Sequence, residues 1–470
     1  MNIPFPESAL DHKNCQNLMS LKDDCLLHLL RYFELLELMD LQGVCCRLDN
    51  LIFRSRKRFG SINFEDISSG LKAKFMEVLQ FLGSAVKSLN MEGFNKSYPN
   101  VEPSVIFEWI DTHCVYLETF INPSIDLHEI TAIQKFSSLV KRLKSLTLRG
   151  QICDDSLADI FEDTSLEELE VCHNHDITES FFVHISNLKS LKISYCKKMS
   201  SNSLIEILKN NLTLKTLTVY VHSQTIEGND ILLNFITNNL KDIEELEIWS
   251  LCHNIYRLAD LPNLKTLKIG HTSNERTDAM SQEINKLLEK LKQRNIMEKL
   301  YFVGFEGRIN MDLLCKLTNL KVLFLNGGKA LTNAEMKKLG NLPNLEQFIP
   351  WEIKKVSSIL TLLKFSRKLE YLSVQSSDMD FEFLEKIIQI LNEVKRPKLT
   401  LIVDHFYAGQ NVDRYHQLLE DNKHVIDFGC VWSDFEGYGQ DFSDDDDDYY
   451  EDYYDESDDY NEEQFSGSSD

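Results

Sequence analysis

At 470 residues the chain exceeds what one ordinary hydrophobic core organises, so it is either several domains or a repetitive array. A 43% hydrophobic and 26% charged composition is that of a soluble folded protein, and nine prolines and eighteen glycines are too few for a turn-rich all-β fold. The formal net charge of −24 argues against direct nucleic-acid binding, because phosphates would meet repulsion in place of counterion release, and it favours basic partners.

Residues 1–17 have neither a basic n-region nor an apolar h-region, so they are expected to be a flexible N-terminus and not a secretory signal. No uncharged apolar run approaches the roughly 20 residues a membrane span requires, and no membrane partner is expected. Eleven cysteines are scattered without a CxxC pair, and Cys45 and Cys46 are adjacent. That usage suits reduced, mostly buried thiols and a cytoplasmic and/or nuclear location.

Leu18–Phe59 reads as short helices. Asp23 or Asp24 is placed to cap a helix carrying Cys25, Leu26, Leu29, Leu30 and Phe33, and Leu38, Leu41, Val44, Cys45 and Leu48 continue at helical spacing. About forty residues cannot hide that many apolar side chains, so a partner surface is expected here. The basic run Arg54, Arg56, Lys57, Arg58 reads either as a nuclear localisation signal or as the solvated end of a helix.

From Val86 onward one pattern recurs, Leu-x-x-Leu-x-Leu or a close relative. It begins at Val86, Leu117, Leu143, Leu166, Leu188, Leu214, Ile243, Leu264, Met297 and Leu320, with weaker copies at Leu345, Leu369 and Lys398; successive copies start 21 to 33 residues apart. Most gaps match a leucine-rich repeat. Leu169 and Val171 alternate with Glu168, Glu170 and Cys172, the pattern of a strand with one buried face, while Ser203–Lys209 has helical spacing. One strand and one helix cannot bury their apolar faces alone, but stacked copies share a core. The expected fold is therefore α/β: a leucine-rich-repeat solenoid over 60–430, with a C-terminal cap, parallel strands on a concave face and helices on the convex one. Asn174 and Cys196 stand at the ninth position of their copies, where the chain turns off the strand. The segment around Cys196 resembles the cysteine-containing repeat subtype.

Counting outward positions by the period of two gives polar residues on the early strands: Ser145, Thr147, Arg149, Glu168, Glu170, Ser190, Lys192 and Ser194. Later strands present Tyr220, Trp249, Tyr301, Phe324, Ile349, Trp351 and Tyr371. These seven are the candidate substrate-binding residues, because grouped exposed aromatics mark binding hot spots. The competing reading is that loops fold over the rings, and Pro350 makes the Trp351 copy irregular. His173 and His175 flank Asn174 beside Cys172, but the geometry offers no convergent set of four ligands, so no metal is expected. No catalytic motif, phosphate loop or zinc spacing occurs, and neither a cofactor nor an intrinsic activity is expected.

Residues 431–470 form the expected acidic, disordered tail. Between Asp441 and Asp470 lie fifteen carboxylates and no Lys or Arg, so −15 of the −24 sits there and −9 on the rest. Ser443, followed by a run of Asp, resembles an acidophilic kinase site.

Leu21, Cys25-Leu26, Leu29-Leu30, Tyr32-Phe33, Glu37-Leu38 and Val44-Cys45 together resemble an F-box. With repeats behind it, the chain resembles the F-box/leucine-rich-repeat substrate receptors, with the F-box over 18–59. Lys22 stands where that family usually has proline, and Leu48 where it often has tryptophan. The resemblance implies a non-catalytic subunit of a Skp–cullin–F-box ubiquitin ligase. Leu21, Cys25, Leu26, Leu29, Leu30, Phe33, Leu38 and Val44 would contact the Skp-family adaptor, through it a cullin, and the concave face would hold a protein substrate for ubiquitination and degradation. The alternative is a non-ligase repeat protein whose acidic tail binds basic partners such as histones, as in the acidic leucine-rich nuclear phosphoproteins. A helical cap on the first repeat would also explain the N-terminal helices.

Overall fold

The computed structural model describes residues 18–98, 100–122, 130–150, 158–220, 226–249, 253–270, 277–305, 307–326, 330–350, 353, 355, 357–407 and 412–433. The chain divides into two compact units: residues 1–250 with 260–263, and residues 251–259 with 264–470.

The first unit opens with three helices, α1 (Asp23–Leu30), α2 (Leu35–Asp40) and α3 (Cys46–Ser55), followed by a 3-10 turn over Arg56–Phe59. Eight parallel strands come next among the described residues: β1 (Ser61–Asn63), β2 (Ser88–Asn90), β3 (Thr119–Ile121), β4 (Ser145–Arg149), β5 (Glu168–Cys172), β6 (Ser190–Ser194), β7 (Thr216–Val219) and β8 (Glu245–Trp249). Each pairs with its sequence neighbour, and the repeated leucine stays in register: Leu89, Phe120, Leu146, Leu169, Leu191, Leu217 and Leu246 form one buried row. Alternation drives this arrangement, because a parallel strand set can bury one face only if every strand offers its apolar side chains to the same side.

The connections supply the other layer. Longer ones carry α-helices, including Pro103–His113, Ile130–Val140, Ser201–Lys209 and Ile226–Asn239, while shorter ones make 3-10 turns at Ala158–Phe161 and Glu179–Phe182. The helix expected at Ser203–Lys209 starts two residues earlier, where the Ser200 hydroxyl accepts the Ser203 N–H at 3.1 Å. Neighbouring coils approach closely: a Cβ on Gly83 would lie 2.4 Å from the carbonyl oxygen of His113.

Buried polar side chains tie one coil to the next. Asn174 donates to the carbonyls of Cys172 (2.8 Å) and Leu148 (3.3 Å), and the Cys196 thiol reaches that of Ser194 (3.4 Å). Asn211 accepts from the Leu188 N–H (2.9 Å) and donates to Ile185 and Ile207. Each satisfies backbone groups stranded where the chain leaves a strand or helix, which gives the ninth-position residues their physical role.

The second unit repeats the plan with seven strands among the described residues: β9 (Thr266–Gly270), β10 (Lys299–Val303), β11 (Val322–Leu325), β12 (Gln347–Pro350), β13 (Tyr371–Asp380), β14 (Leu399–Tyr407) and β15 (Ile426–Ser433). Its buried row is Leu267, Leu300, Leu323, Phe348, Leu372 and Leu401. Arg396 donates to the carbonyls of Leu363 and Leu369 at 3.1 Å each, and burial brings its guanidinium down to about 10.

Both units are thus solenoid-like α/β arrays. β1 and β15 lie beyond the first and last copies recognised in the sequence. β15 also takes in Val431–Ser433, which the sequence reading assigned to the tail. The tail from 434 onward, the N-terminal 17 residues and Trp351 lie outside the described residues. No helix among the described residues is long and apolar enough to cross a membrane.

Candidate interaction surfaces

The N-terminal helices close a core of their own. Leu26, Leu30, Leu35, Leu38, Leu48, Leu51 and Ile52 are buried, and the Arg47 guanidinium clamps the Asp23 carboxylate at 2.6 Å and the Leu21 carbonyl at 2.7 Å. Glu34 and Glu37 form a reciprocal capping box at the start of α2. Gly43, at φ +85°, lets the chain turn into α3 and donates its N–H to Asp49 at 2.8 Å.

The eight residues that the resemblance implies for adaptor contact therefore separate by burial. Leu26, Leu30 and Leu38 are core and offer no surface, Leu21 is half-buried, and Cys25, Leu29, Phe33 and Val44 are exposed. The order of residues in the sequence does not separate the two sets, because α1 carries leucines at 26, 27, 29 and 30 and the packing of α3 selects which of them turn inward. Tyr32 (75% exposed) and Phe53 (55%) add to the exposed apolar surface. Cys25 and Leu29 stand four residues apart on α1, and Tyr32-Phe33 follow in the turn after it.

The basic run has a structural role that neither sequence reading gave it. Arg58 donates to the carbonyls of Arg31 and Phe33, holding the turn that follows α1. Arg56 donates to the Phe81 carbonyl and lies over the Phe53 and Phe81 rings at 4.9 and 4.5 Å. Desolvation holds both guanidinium groups below their ordinary value. Arg54 and Lys57 remain exposed.

On the outward face of the first unit, charged side chains meet one another. Arg149 pairs with Glu92, and Lys192 with Glu170 at 3.0 Å. Burial raises the Glu170 carboxyl, but Lys192 and a hydrogen bond from Cys172 outweigh it and hold the group below the carboxylate range. The Cys172 thiol is pushed up to about 12 by burial and the adjacent carboxylate, and Cys114 to about 12 by burial. Such thiols are poor nucleophiles. Cys25 and Cys46 are exposed, against the expectation of mostly buried cysteines. Among the described residues no three His, Cys, Asp or Glu side chains converge as a metal site.

Beside these pairs runs a stack of rings. His173 and Tyr195 are parallel within 4° at 4.6 Å, Tyr195 and Tyr220 stack at 4.6 Å, and Tyr220 meets Trp249 at 5.6 Å. The Trp249 indole N–H donates to Glu247 at 2.8 Å. Tyr220 and Trp249, both counted outward and proposed for substrate contact, are accordingly buried at 6% and 8% exposure. Their flat surface is taken up by neighbouring rings. Sequence counting missed His173 and Tyr195 as members because both adopt φ +55°, which breaks the period of two at the strand end.

The second unit differs. Tyr301, Phe324 and Ile349 are in direct register on β10, β11 and β12, half-exposed, with the first two rings 6.1 Å apart. Tyr371, also half-exposed, pairs with Gln347 one step along the strands, outside that row. Pro350 ends β12 with its ring on the buried side, where the missing N–H removes the next ladder bond.

No protein-family model matches this chain, and no curated protein matches it in sequence.

Proposed function

We propose that the chain is a non-catalytic substrate-recognition subunit, which docks on a Skp-family adaptor through α1–α3 and holds a protein substrate on the outward face of β10–β12. One observation carries this reading. The helical module has a closed core and still leaves Leu29, Tyr32, Phe33, Val44 and Phe53 in water. A cap that only shields the first coil gains nothing from such a surface, whereas a docking module requires it. Through the adaptor the chain would join a cullin, and its mechanism is proximity: holding the substrate raises the effective concentration of its lysines near a charged carrier enzyme.

The test is co-purification with a Skp-family adaptor, using variants that leave the module's core intact. Leu29→Asp with Phe33→Asp places charge in the proposed interface, and recovery of the adaptor should fall at least about tenfold, the scale of one hot-spot loss. Equal recovery of adaptor by the folded variant and the native chain, or no recovery by either, overturns the reading. Leu26→Asp is unsuitable because it would unfold the module.

A second reading is favoured by Glu168 and Glu245, which are exposed on β5 and β8. With the acidic tail they suit a basic partner such as a histone, held without any ligase. Salt-sensitive histone binding that survives the Leu29 and Phe33 changes, in a chain that recovers no adaptor, would select it.

A further inference from the structure

In the two outward rows of β9–β13 no carboxylate occurs among the described residues; the side chains are aromatic, aliphatic, hydroxyl, amide or lysine. Tyr301, Phe324 and Ile349 make a half-exposed apolar row. Lys299, exposed, stands two residues before Tyr301 on the same face. A surface of this composition fits a segment that intersperses aromatic rings with carboxylates. The rings pack on the apolar row while the carboxylates meet the Lys299 ammonium at its edge.

The chain carries such a segment. Asp441–Asp470 holds fifteen carboxylates, five tyrosines and two phenylalanines, with no Lys or Arg. It is also within reach. From β15, where Ser433 ends the last strand, β11 is four strand steps away, roughly 19 Å at about 4.8 Å each. The eight residue steps from Ser433 to Asp441 span up to about 26 Å when extended, so everything beyond Asp441 can lie along β10–β12.

We propose that Asp441–Asp470 docks in cis on the outward face of β10–β12 and occupies the surface read above as the substrate site. Tethering places the segment at an effective concentration on the millimolar scale, so even a weak contact keeps the face covered until a tighter partner displaces it. The inference rests on the reading of this face as a docking surface and does not depend on the adaptor.

The experiment uses the full chain with the photoreactive residue p-benzoylphenylalanine incorporated at position 324, purified, irradiated at low concentration and mapped by mass spectrometry. The same residue at position 349 guards against local disturbance, and at position 168 on β5 it reports nonspecific tail contact. Positions 324 and 349 should crosslink to residues 441–470 of the same molecule, several-fold more than position 168. The yield should drop in 1 M salt, where screening acts over about 3 Å. A folded protein with no tail crosslink from 324 or 349, or with equal yield from 168, overturns the proposal. A second irradiation in cell extract separates the two readings: capture of another protein by 324 with the tail never captured removes tail docking and leaves the surface. Silence toward tail and protein alike removes both.

Discussion

The two units use the same outward rows in opposite ways. On β4–β8 the outward side chains answer one another: Arg149 holds Glu92, Lys192 holds Glu170, and four rings from His173 to Trp249 line up along the strand ends, the first three stacked and the last tilted. On β10–β12 the equivalent row is Tyr301, Phe324 and Ile349, apolar and half in water. A backbone of repeated strands fixes where side chains stand but not whether they are satisfied there. Binding surfaces are the places where apolar side chains stay open to solvent.

The sharpest way to break this contrast is to compare inward and outward substitutions on adjacent strands of the second unit. Phe348 is fully buried on β12, and Phe348→Ala should cost about 3–5 kcal/mol through lost transfer energy and a residual cavity. Phe324, outward and half-exposed on β11, should lose distinctly less when changed to alanine, since part of its ring already meets water. Urea denaturation of the two variants measures the difference. Comparable losses would mean that Phe324 is core and that the face is not available for docking.

The period-2 pattern made most of this legible in advance. All thirteen recognised copies fall on strands, because leucine at three fixed offsets is a demand of the shared core. β1 and β15 went unrecognised although Phe59, Ile62 and Phe64, or Val425, Phe428 and Cys430, occupy the same offsets with other apolar residues. Side-chain burial outside the strands was less legible. Whether Leu26 or Leu29 turns inward depends on α3, and where the Arg56 and Arg58 guanidinium groups settle depends on carbonyls some 25 residues away in sequence. Tyr195 joins the ring stack only because its backbone enters the left-handed region, which nothing about tyrosine announces.

That stack offers an intermediate effect. Tyr195→Ala removes contacts with both His173 and Tyr220, each worth about 0.5–1.5 kcal/mol beyond burial, and leaves an alanine in a left-handed conformation. A net loss of roughly 1–3 kcal/mol is expected, with Trp249 fluorescence shifted toward that of a more solvated indole as the stack loosens. Tyr195→Asn, whose side chain tolerates the backbone better, should recover part of the stability but not the fluorescence. If alanine and asparagine behave alike, backbone strain contributes nothing measurable and the rings alone account for the site.

The smallest effect is a titration. Glu170 has its carboxyl below the ordinary 4.5 in the folded chain, because Lys192 and the Cys172 thiol outweigh the burial that pushes it upward. Its contribution to stability is therefore complete above the unfolded value and is lost as pH falls through the folded one, so the effect is confined to the region below about pH 4.5. Glu298 on the second unit is also held low, by its hydrogen bond to Lys321, but that pair is more open to solvent, with side chains 35% and 44% exposed against 26% and 31% for Glu170 and Lys192. Salt separates the two, since screening weakens exposed pairs more than half-buried ones. Unfolding measured from pH 3 to 7 should show a smaller acid loss in Glu170→Gln than in the native chain at both low and high salt. The corresponding change in Glu298→Gln should appear at low salt and fade at high salt. Equal salt sensitivity in the two variants would show that the Glu170–Lys192 pair is as open to water as the Glu298–Lys321 pair, and the contrast between the units would then rest on the rings alone.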